Sequence, residues 1–221
     1  MPKFTAPVRS RNLPTPSVQR LPNYLRLLKE IQARGENVVS CTRIADEFGQ
    51  LSVQVRKDLA ITGVSGRPKV GYRIDELINA IERFLGWDVK TNAFLVGVGN
   101  LGSAILNYAG FVEHGLQIVG VFDANPELFG KVINERTIRP FAMIVERAAE
   151  LKKKGINVDM GVITVPACAA QNVADRLVQI GVRAIWNYAP AQLELPENVV
   201  CENVKLSESF AVLTNRMRSL C

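Results

Sequence analysis

The chain has 221 residues, of which 48% are hydrophobic, and it carries a formal net charge of +6 at pH 7. This length and composition predict one or two globular domains with a real core, and no apolar run approaches the roughly 18–20 residues that a membrane span needs. Four cysteines without C-x-x-C spacing and a single histidine predict no familiar zinc site. No secretory signal pattern is visible, so we expect a cytoplasmic protein with reduced thiols, no bound metal and no membrane association.

The positive charge is concentrated in the first third of the chain. Residues 1–74 contain 13 Lys and Arg against 5 Asp and Glu, whereas the remaining residues carry a small net negative charge. This asymmetry favours a polyanionic partner for the first part, although a basic solvated face would give the same pattern. We expect three segments: a domain over residues 1–86, a second domain over 87–205, and a C-terminal helix over 206–221.

The first predicted elements are an arm and a long helix. Residues 1–16 are rich in proline and basic residues, which predicts a mobile arm. A helix then opens at Leu21 and Pro22 and ends at Gly35. Its apolar positions are spaced for one buried face, formed by Tyr24, Leu25, Leu28 and Ile31.

Two short helices follow. Ser40 is a predicted N-cap for a helix that Gly49 ends, and Ser52 is a predicted N-cap for a helix from Val53 to Leu59. Two short helices joined by a tight turn behind a longer one are typical of a helix-turn-helix. The alternative is a small helical bundle with a charged surface.

The second short helix has an outer face suited to a DNA groove. Val55 and Leu59 are four residues apart and share its inner face, whereas the outer face carries Val53, Gln54, Arg56 and Lys57. Basic side chains can donate to guanine, a glutamine amide can bond adenine through two atoms, and valine methyls can contact a thymine methyl. The sequence therefore predicts a recognition helix for the major groove.

A glycine-rich basic hairpin over residues 63–73 resembles the wing of a winged helix-turn-helix, with Arg67 and Lys69 placed for phosphates. A linker helix is predicted after it, from Ile74 to Trp87. The complete set of predicted DNA-contacting residues is Ser40, Ser52, Val53, Gln54, Arg56, Lys57, Arg67, Lys69 and Tyr72.

The most informative motif is a glycine pattern between a predicted strand and a predicted helix. An apolar strand leads into G-x-G-x-x-G at Gly97, Gly99 and Gly102, and a helix is predicted from Ser103 to Val112. In a dinucleotide site the first glycine permits a tight turn, the second lets the backbone approach the pyrophosphate, and the third lets helix and strand pack closely. The alternative is a glycine-rich turn that binds no ligand.

An acid at the end of the next predicted strand adds a cofactor preference. Asp123 closes an apolar strand that begins at Leu116, and it lies 21 residues past Gly102. A carboxylate at this place accepts hydrogen bonds from the ribose 2′-OH and repels a 2′-phosphate, so NAD(H) is favoured over NADP(H).

The following residues alternate between helix and strand. The predicted elements are a helix from Phe141 to Lys154, a strand from Asp159 to Val165, a helix from Ala169 to Ile180, a strand from Arg183 to Trp186 and a last strand from Val199. This order predicts a mostly parallel, doubly wound α/β sheet whose ligand lies beyond the carboxyl ends of the strands.

Two strand-end residues, Thr164 and Asn187, are candidates to touch the nicotinamide half, although such residues often only cap helices. The full set of predicted cofactor-binding residues is Gly97, Val98, Gly99, Asn100, Leu101, Gly102, Asp123, Thr164, Val165, Pro166, Asn187 and Tyr188.

The C-terminal segment has a one-sided apolar stripe, formed by Leu206, Phe210, Leu213, Met217 and Leu220. Their alternating spacing of four and three residues is typical of a helix that packs against another helix. The stripe is expected to pack either on its own domain or on a second subunit.

A basic winged helix-turn-helix followed by a short NAD-binding fold closely resembles the Rex family of bacterial redox-sensing transcriptional repressors. The matching segments are residues 20–26 (RLPNYLR), 53–59 (VQVRKDL), 70–72 (VGY), 96–103 (VGVGNLGS), 122–123 (FD), 164–166 (TVP), 187–190 (NYAP) and 202–204 (ENV). The resemblance implies an N-terminal winged helix-turn-helix, a Rossmann-like parallel sheet and a C-terminal helix exchanged between two subunits. It also implies a homodimer that binds inverted-repeat operator DNA and that NADH releases from it.

The resemblance further implies switch contacts among Arg26, Tyr108 and an acid at position 205, where this chain has Lys205. A lysine repels Arg26 instead of accepting a hydrogen bond from it. We therefore expect that Glu202 or Glu208 takes over this contact, or that discrimination between NAD⁺ and NADH is weaker.

Two other functions compete with this interpretation. A small NAD-dependent dehydrogenase needs a proton-transfer group beside the nicotinamide, but His114 precedes the second strand and no Y-x-x-x-K pair exists, so we expect no catalytic residues. The other alternative is a constitutive DNA-binding protein with a vestigial Rossmann fold.

Overall fold

The computed structural model describes residues 15–68 and 70–219. The chain divides into two compact units, Met1–Val89 and Lys90–Cys221. Most of the predicted arm, together with Lys69 and Leu220, lies outside the described residues.

The first unit is a small helical domain closed by a two-stranded sheet. Its helices are α1 (Thr15–Ala33), α2 (Cys41–Phe48), α3 (Ser52–Ala60) and α4 (Ile74–Leu85), and its strands are β1 (Val38–Val39) and β2 (Tyr72–Arg73). The strands are antiparallel, and Val39 pairs with Tyr72. The predicted helix-turn-helix, α2 and α3, is therefore confirmed, together with the helix before it and a hairpin after it.

The long helix starts earlier than its sequence predicts. α1 begins at Thr15, so that Pro22 lies inside the helix instead of at its start. The reason is tertiary, because Ser17 and Leu21 are both buried in the same face that continues through Leu28. That packing outweighs the loss of one backbone hydrogen bond at the proline.

The wing is a tight hairpin that only glycine permits at its base. Arg67 and Gly71 exchange two backbone hydrogen bonds, of 2.7 and 2.9 Å. Gly71 has a φ of +95°, and an added Cβ would lie 2.3 Å from the carbonyl oxygen of Val39. The hairpin can therefore fold back onto β1 only because this position has no side chain.

The second unit is a seven-stranded sheet with helices on both faces. Its strands are β3 (Thr91–Val96), β4 (Leu116–Asp123), β5 (Val132–Ile133), β6 (Arg136–Pro140), β7 (Met160–Ile163), β8 (Ala184–Asn187) and β9 (Val200–Asn203). Its helices are α5 (Asn100–Asn107), α6 (Ala109–Glu113), α7 (Ile144–Lys153), α8 (Ala167–Gln179) and α9 (Leu206–Arg218). The strand order is β5-β6-β4-β3-β7-β8-β9, and the pairs are parallel except β5 with β6.

This order confirms the predicted doubly wound sheet. The chain runs outward from β3 in one direction through β4 and β6, then returns to β7 on the other side of β3. The point where the order reverses lies between β3 and β7, and open α/β sheets bind ligands in the crevice outside this point.

One predicted helix is two helices in the structure. The segment from Ser103 to Val112 breaks at Tyr108, whose φ of −80° and ψ of 103° are extended rather than helical. The Tyr108 ring packs edge-on against Phe111 at 4.7 Å between centroids, and a Cβ on Gly110 would meet this ring at 2.7 Å. The break therefore depends on a local aromatic contact and on a neighbouring residue without a side chain.

The apolar stripe of α9 is exposed. Phe210, Leu213 and Met217 are 68%, 57% and 58% exposed. The expectation that the stripe packs on its own domain is therefore wrong for these residues. The helices of the described chain include none that is both long and apolar enough to cross a membrane.

Candidate functional site: a nucleotide cradle and a basic helix face

The glycine pattern forms the turn between β3 and α5, and its three glycines have three different roles. Gly97 has a φ of +98°, and an added Cβ would lie 2.7 Å from the Thr164 carbonyl oxygen. At Gly102 an added Cβ would lie 2.0 Å from the Gly97 carbonyl oxygen, so α5 can approach the strand only with glycine here. A Cβ on Gly99 would meet no protein atom within 4 Å. Gly99 therefore leaves open space beside the turn.

The start of α5 is suited to bind an anion. Gly99 is its N-cap residue and provides no side-chain hydrogen bond to the first turn. The first N–H groups of a helix have no partner within the helix, and the helix dipole places partial positive charge there. The backbone at Asn100, Leu101 and Gly102 can therefore donate to the phosphates of a dinucleotide.

Asp123 ends β4 and contacts the glycine turn. One carboxylate oxygen accepts from the Val98 N–H at 2.6 Å, and the other accepts from the Asn125 N–H at 2.8 Å. Each oxygen of an ionised carboxylate can accept a second hydrogen bond. The residue thus holds the turn and keeps capacity for ribose hydroxyl groups, and Ala124 and Asn125 after it offer no cation for a 2′-phosphate.

Thr164 joins the two strands at the switch point. Its hydroxyl oxygen lies 2.7 Å from the Gly97 carbonyl oxygen and 3.1 Å from that of Val96. A hydroxyl has one proton to donate, and here the backbone of the glycine turn accepts it. Thr164 therefore holds the turn, and its contact with nicotinamide stays a prediction. Val165 and Pro166 lead directly into α8.

The structure corrects the prediction for Asn187. This residue is fully buried; its amide nitrogen donates to the Ala191 carbonyl and to Asn203, and its oxygen accepts from the Ala189 N–H. The side chain therefore supports the loop after β8 and has no edge facing a ligand.

Tyr188 follows Asn187 and borders an open cleft of about 670 Å³. The cleft lies between the loop after β8 and the start of α9, and its lining includes Ala189, Val204, Lys205 and Ser207. Burial raises the pKa of Tyr188 to about 12, and its hydroxyl, which is protonated at pH 7 as in any tyrosine, can donate a hydrogen bond. Lys205 itself pairs with Glu208 at 2.8 Å on the surface.

On the first unit, α3 presents the predicted outer face. Val53, Arg56 and Lys57 are exposed, whereas Val55 and Leu59 are fully buried. Ser52 is the first helical residue rather than the N-cap, since Leu51 holds the cap position without a side-chain bond. Ser40 does cap α2, where its oxygen accepts from the Arg43 N–H at 3.1 Å.

A cleft of about 560 Å³ lies between the start of α2, α3 and the wing. Its lining includes Ser40, Arg56 and Arg67, which can contact a phosphate backbone through a hydroxyl and two cations. Tyr72 also borders this cleft but is only 8% exposed, and a Cβ on Gly66 would lie 2.8 Å from its ring. The Tyr72 ring therefore supports the wing, and its contact with DNA stays a prediction.

Sequence reasoning missed a buried charge beneath α3. Asp58 is 0% exposed and accepts two hydrogen bonds from Arg20, at 2.6 and 2.7 Å, and one from Gln54 at 2.9 Å. The Tyr24 hydroxyl lies 2.8 Å from the same carboxylate and 2.5 Å from the Gln50 amide oxygen. The only sequence signal of Asp58 is an acid on the inner, apolar face of a helix. Burial alone would raise the pKa of Asp58, but the bonds from Arg20 and its neighbours hold the pKa at about 2.

This pKa predicts acid sensitivity of the first unit. The ordinary aspartate pKa is 3.8, so a folded-state value of about 2 contributes roughly 2 kcal/mol to the free energy of unfolding above pH 4. That contribution is lost as the pH falls from about 4 to 2. Urea unfolding of the first unit can be followed by Trp87 fluorescence in a Trp186→Phe background. The difference in the free energy of unfolding between the Asp58 protein and the Asp58→Asn protein should shrink over this pH range. A constant difference down to pH 2 would contradict the assignment.

Comparisons with known proteins agree with both sites. Residues 88–191 match the family described as "CoA binding domain", and residues 12–60 match the family described as "Putative DNA-binding protein N-terminus". The redox-sensing transcriptional repressor Rex of Treponema denticola is 42% identical over 90% of this chain and 92% of its own. The Rex of Clostridium botulinum strain Alaska E43 is 41% identical over 93% of this chain and 95% of its own.

Solved structures give the same result. RSP in complex with β-NAD⁺ and operator DNA has a TM-score of 0.85 and 35% identity, over 94% of this chain and 93% of its own. RSP in complex with β-NADH has a TM-score of 0.82 and 34% identity, over 95% and 96% of the two chains. With a recognition helix, a dinucleotide turn and relatives that match over nearly their whole length, this chain belongs to the Rex family of redox-sensing transcriptional repressors.

Proposed function

We propose that this protein is a transcriptional repressor that binds operator DNA through its first unit and NAD(H) through its second, in the cytoplasm. The observation that carries the proposal is the presence, in one chain, of an exposed basic recognition helix and an open glycine turn at a sheet switch point. The similar protein RSP is described in complex with β-NAD⁺ and operator DNA, and with β-NADH.

NAD(H) would be held at its phosphate and ribose ends by parts of the chain already described. The amides at the start of α5 would bind the pyrophosphate, and Asp123 would accept from the adenosine ribose. The nicotinamide supplies the redox-dependent charge, since its ring is cationic only when oxidised. The single histidine of the chain, His114, precedes β4 and therefore lies at the edge of the sheet opposite the cofactor. It does not provide proton transfer at the nicotinamide.

A homodimer would place two copies of α3 on one duplex. The exposed stripe of α9, together with Val212 at 52% exposure, provides an apolar surface for a second subunit. Two recognition helices enter successive major grooves when their half-sites lie about one helical turn apart, which fits an inverted-repeat operator. A ligand changes the occupancy of DNA only if it binds the two dimer conformations with different affinity.

One titration tests this function. Fluorescence anisotropy of a labelled duplex, selected by the protein from a pool with randomised half-sites, should rise on binding. It should fall on addition of NADH, whereas NAD⁺ should leave the protein bound to the duplex. Coenzyme A serves as a comparison ligand. NADH binding without DNA binding would favour a dehydrogenase, and DNA binding indifferent to NADH would favour a constitutive DNA-binding protein.

The lysine at position 205 gives a prediction about redox discrimination. Lys205→Asp replaces a cation with an acceptor for Arg26, which the family resemblance implies as a switch contact. We expect the ratio of the NADH affinity to the NAD⁺ affinity to increase, measured by calorimetric titration of both cofactors. Lys205→Ala is the control, because it removes the cation and the pair with Glu208 without adding an acceptor. Equal ratios in all three proteins would show that this position does not control the switch.

A further inference from the structure

A hydrogen bond inside the first unit orients the side chain of Gln54 on the recognition helix. Gln54 lies on α3 and is half-buried, and its amide nitrogen donates to Asp58 at 2.9 Å. An amide has one carbonyl oxygen and two N–H groups. One N–H is taken by Asp58, which leaves the carbonyl oxygen and the other N–H for a base.

Asp58 can accept hydrogen bonds here but not donate one. Arg20 donates one bond to each carboxylate oxygen and Gln54 donates to one of them, while the single hydroxyl proton of Tyr24 lies between the other oxygen, at 2.8 Å, and the Gln50 amide oxygen, at 2.5 Å. An ionised carboxylate offers only acceptor positions, so every group that bonds to it must donate. A flipped Gln54 amide would place its carbonyl oxygen against this carboxylate, which is itself fully buried, and create repulsion there.

We propose that Asp58 sets the base preference of the recognition helix by fixing the orientation of the Gln54 amide. Asp58 is thus a positioning residue that touches no base itself. The proposal rests on the DNA-binding function proposed above. The low pKa of Asp58 supports it, because the carboxylate stays ionised at neutral pH.

The fixed amide is complementary to adenine. In the major groove adenine presents one acceptor, N7, beside one donor, the N6 amino group, whereas guanine presents two acceptors, N7 and O6. A Gln54 that offers one oxygen and one N–H pairs with both adenine groups but opposes guanine O6 with its oxygen. Where the amide can flip freely, this distinction weakens.

The test compares base preference among variants. The wild-type protein first selects a duplex from a pool with randomised half-sites. This duplex is labelled and then competed with duplexes in which one A·T pair at a time is replaced by G·C. Gln54→Ala identifies the pair that Gln54 reads. At that pair we expect Asp58→Asn to reduce the preference for adenine by roughly tenfold or more, because an asparagine amide can both accept and donate. Affinity for unrelated duplex, and its salt dependence, should remain near those of the wild type.

Tyr24→Phe is the matched control. It removes the hydroxyl that lies between this carboxylate and the Gln50 amide oxygen and leaves the bond from Gln54 intact, so stability should fall while the base preference stays. In the double variant with Gln54→Ala, Asp58→Asn should cause no further loss of preference. If Asp58→Asn lowers affinity for all duplexes by one factor, or leaves the preference unchanged, the proposal is overturned. If the wild type selects no duplex at all, the DNA-binding function itself fails.

A second measurement does not depend on the folding of Asp58→Asn. In nitrogen-edited NMR spectra of the wild-type protein, one of the two Gln54 side-chain amide protons should exchange with solvent more slowly than those of the exposed Gln19. Equal exchange for the two glutamines would overturn the proposal.

Discussion

Lys57→Ala should remove specific operator binding and leave NADH affinity unchanged. Lys57 is exposed on α3, on the face opposite the buried Val55 and Leu59, so its loss should not disturb packing. A side chain that contacts a base is worth about 1–3 kcal/mol, and a dimer loses two of them. We expect a loss of affinity of roughly 30-fold or more in the duplex anisotropy titration.

The matched control is Lys153→Ala, because Lys153 is an exposed lysine on α7 of the second unit. Both variants lower the net charge equally, so a general electrostatic effect would weaken DNA binding in both. If Lys57 contacts a phosphate instead of a base, affinity should fall equally for all duplexes and the salt dependence should become shallower. Unchanged operator affinity in Lys57→Ala would contradict the placement of α3 in the groove.

Gly99→Ala should weaken NADH binding roughly 10- to 150-fold. The backbone φ of −72° suits alanine, and the added Cβ meets no protein atom within 4 Å, so the protein should fold normally. The same Cβ would occupy the space beside the turn where the pyrophosphate approaches. Losing one charge-assisted hydrogen bond costs about 1.5–3 kcal/mol, which gives this range. Calorimetric titration with NADH measures it.

Gly102→Ala separates ligand binding from folding. Its Cβ would lie 2.0 Å from the Gly97 carbonyl oxygen, so we expect a lower unfolding temperature for the second unit even without NADH. Gly99→Ala should keep the unfolding temperature of the wild type. Normal NADH affinity in Gly99→Ala would show that the pyrophosphate does not lie at this turn.

Local patterns were sufficient to predict the elements that hold the two sites. The glycine turn, the acid at Asp123 and the cap at Ser40 each depend on residues close in sequence, and the structure places all three at the ends of the predicted elements. The mostly parallel, doubly wound character of the sheet followed from the alternation of strands and helices, because parallel strands need such crossovers.

The edge hairpin of β5 and β6 could not be predicted in the same way. Its turn residues, Asn134 and Glu135, both have positive φ, of 45° and 61°, which is typical of a type I′ turn. The usual sequence signal for this turn is asparagine followed by glycine. Here glutamate stands at the second position, so the signal is missing. The Asn134 side chain donates to the Leu106 carbonyl at 2.7 Å, so a contact distant in sequence holds the turn.

The roles of Asn187 and Asp58 were hidden for a related reason. Both are polar residues whose partners come from other elements: Asn203 for Asn187, and Arg20 and Tyr24 for Asp58. Sequence spacing shows that such a residue faces inward or ends a strand, but only the tertiary structure shows which groups satisfy it.

The hydrogen bond from Thr164 to the Gly97 carbonyl bears on how the protein distinguishes NADH from NAD⁺. It links the turn after β3 to the residue that follows β7. The backbone that would bind the diphosphate is therefore held in place before any ligand binds. Oxidised and reduced cofactors carry the same diphosphate, and a rigid grip on a shared group cannot tell them apart. Discrimination between the two redox forms must then come from the groups that surround the nicotinamide ring.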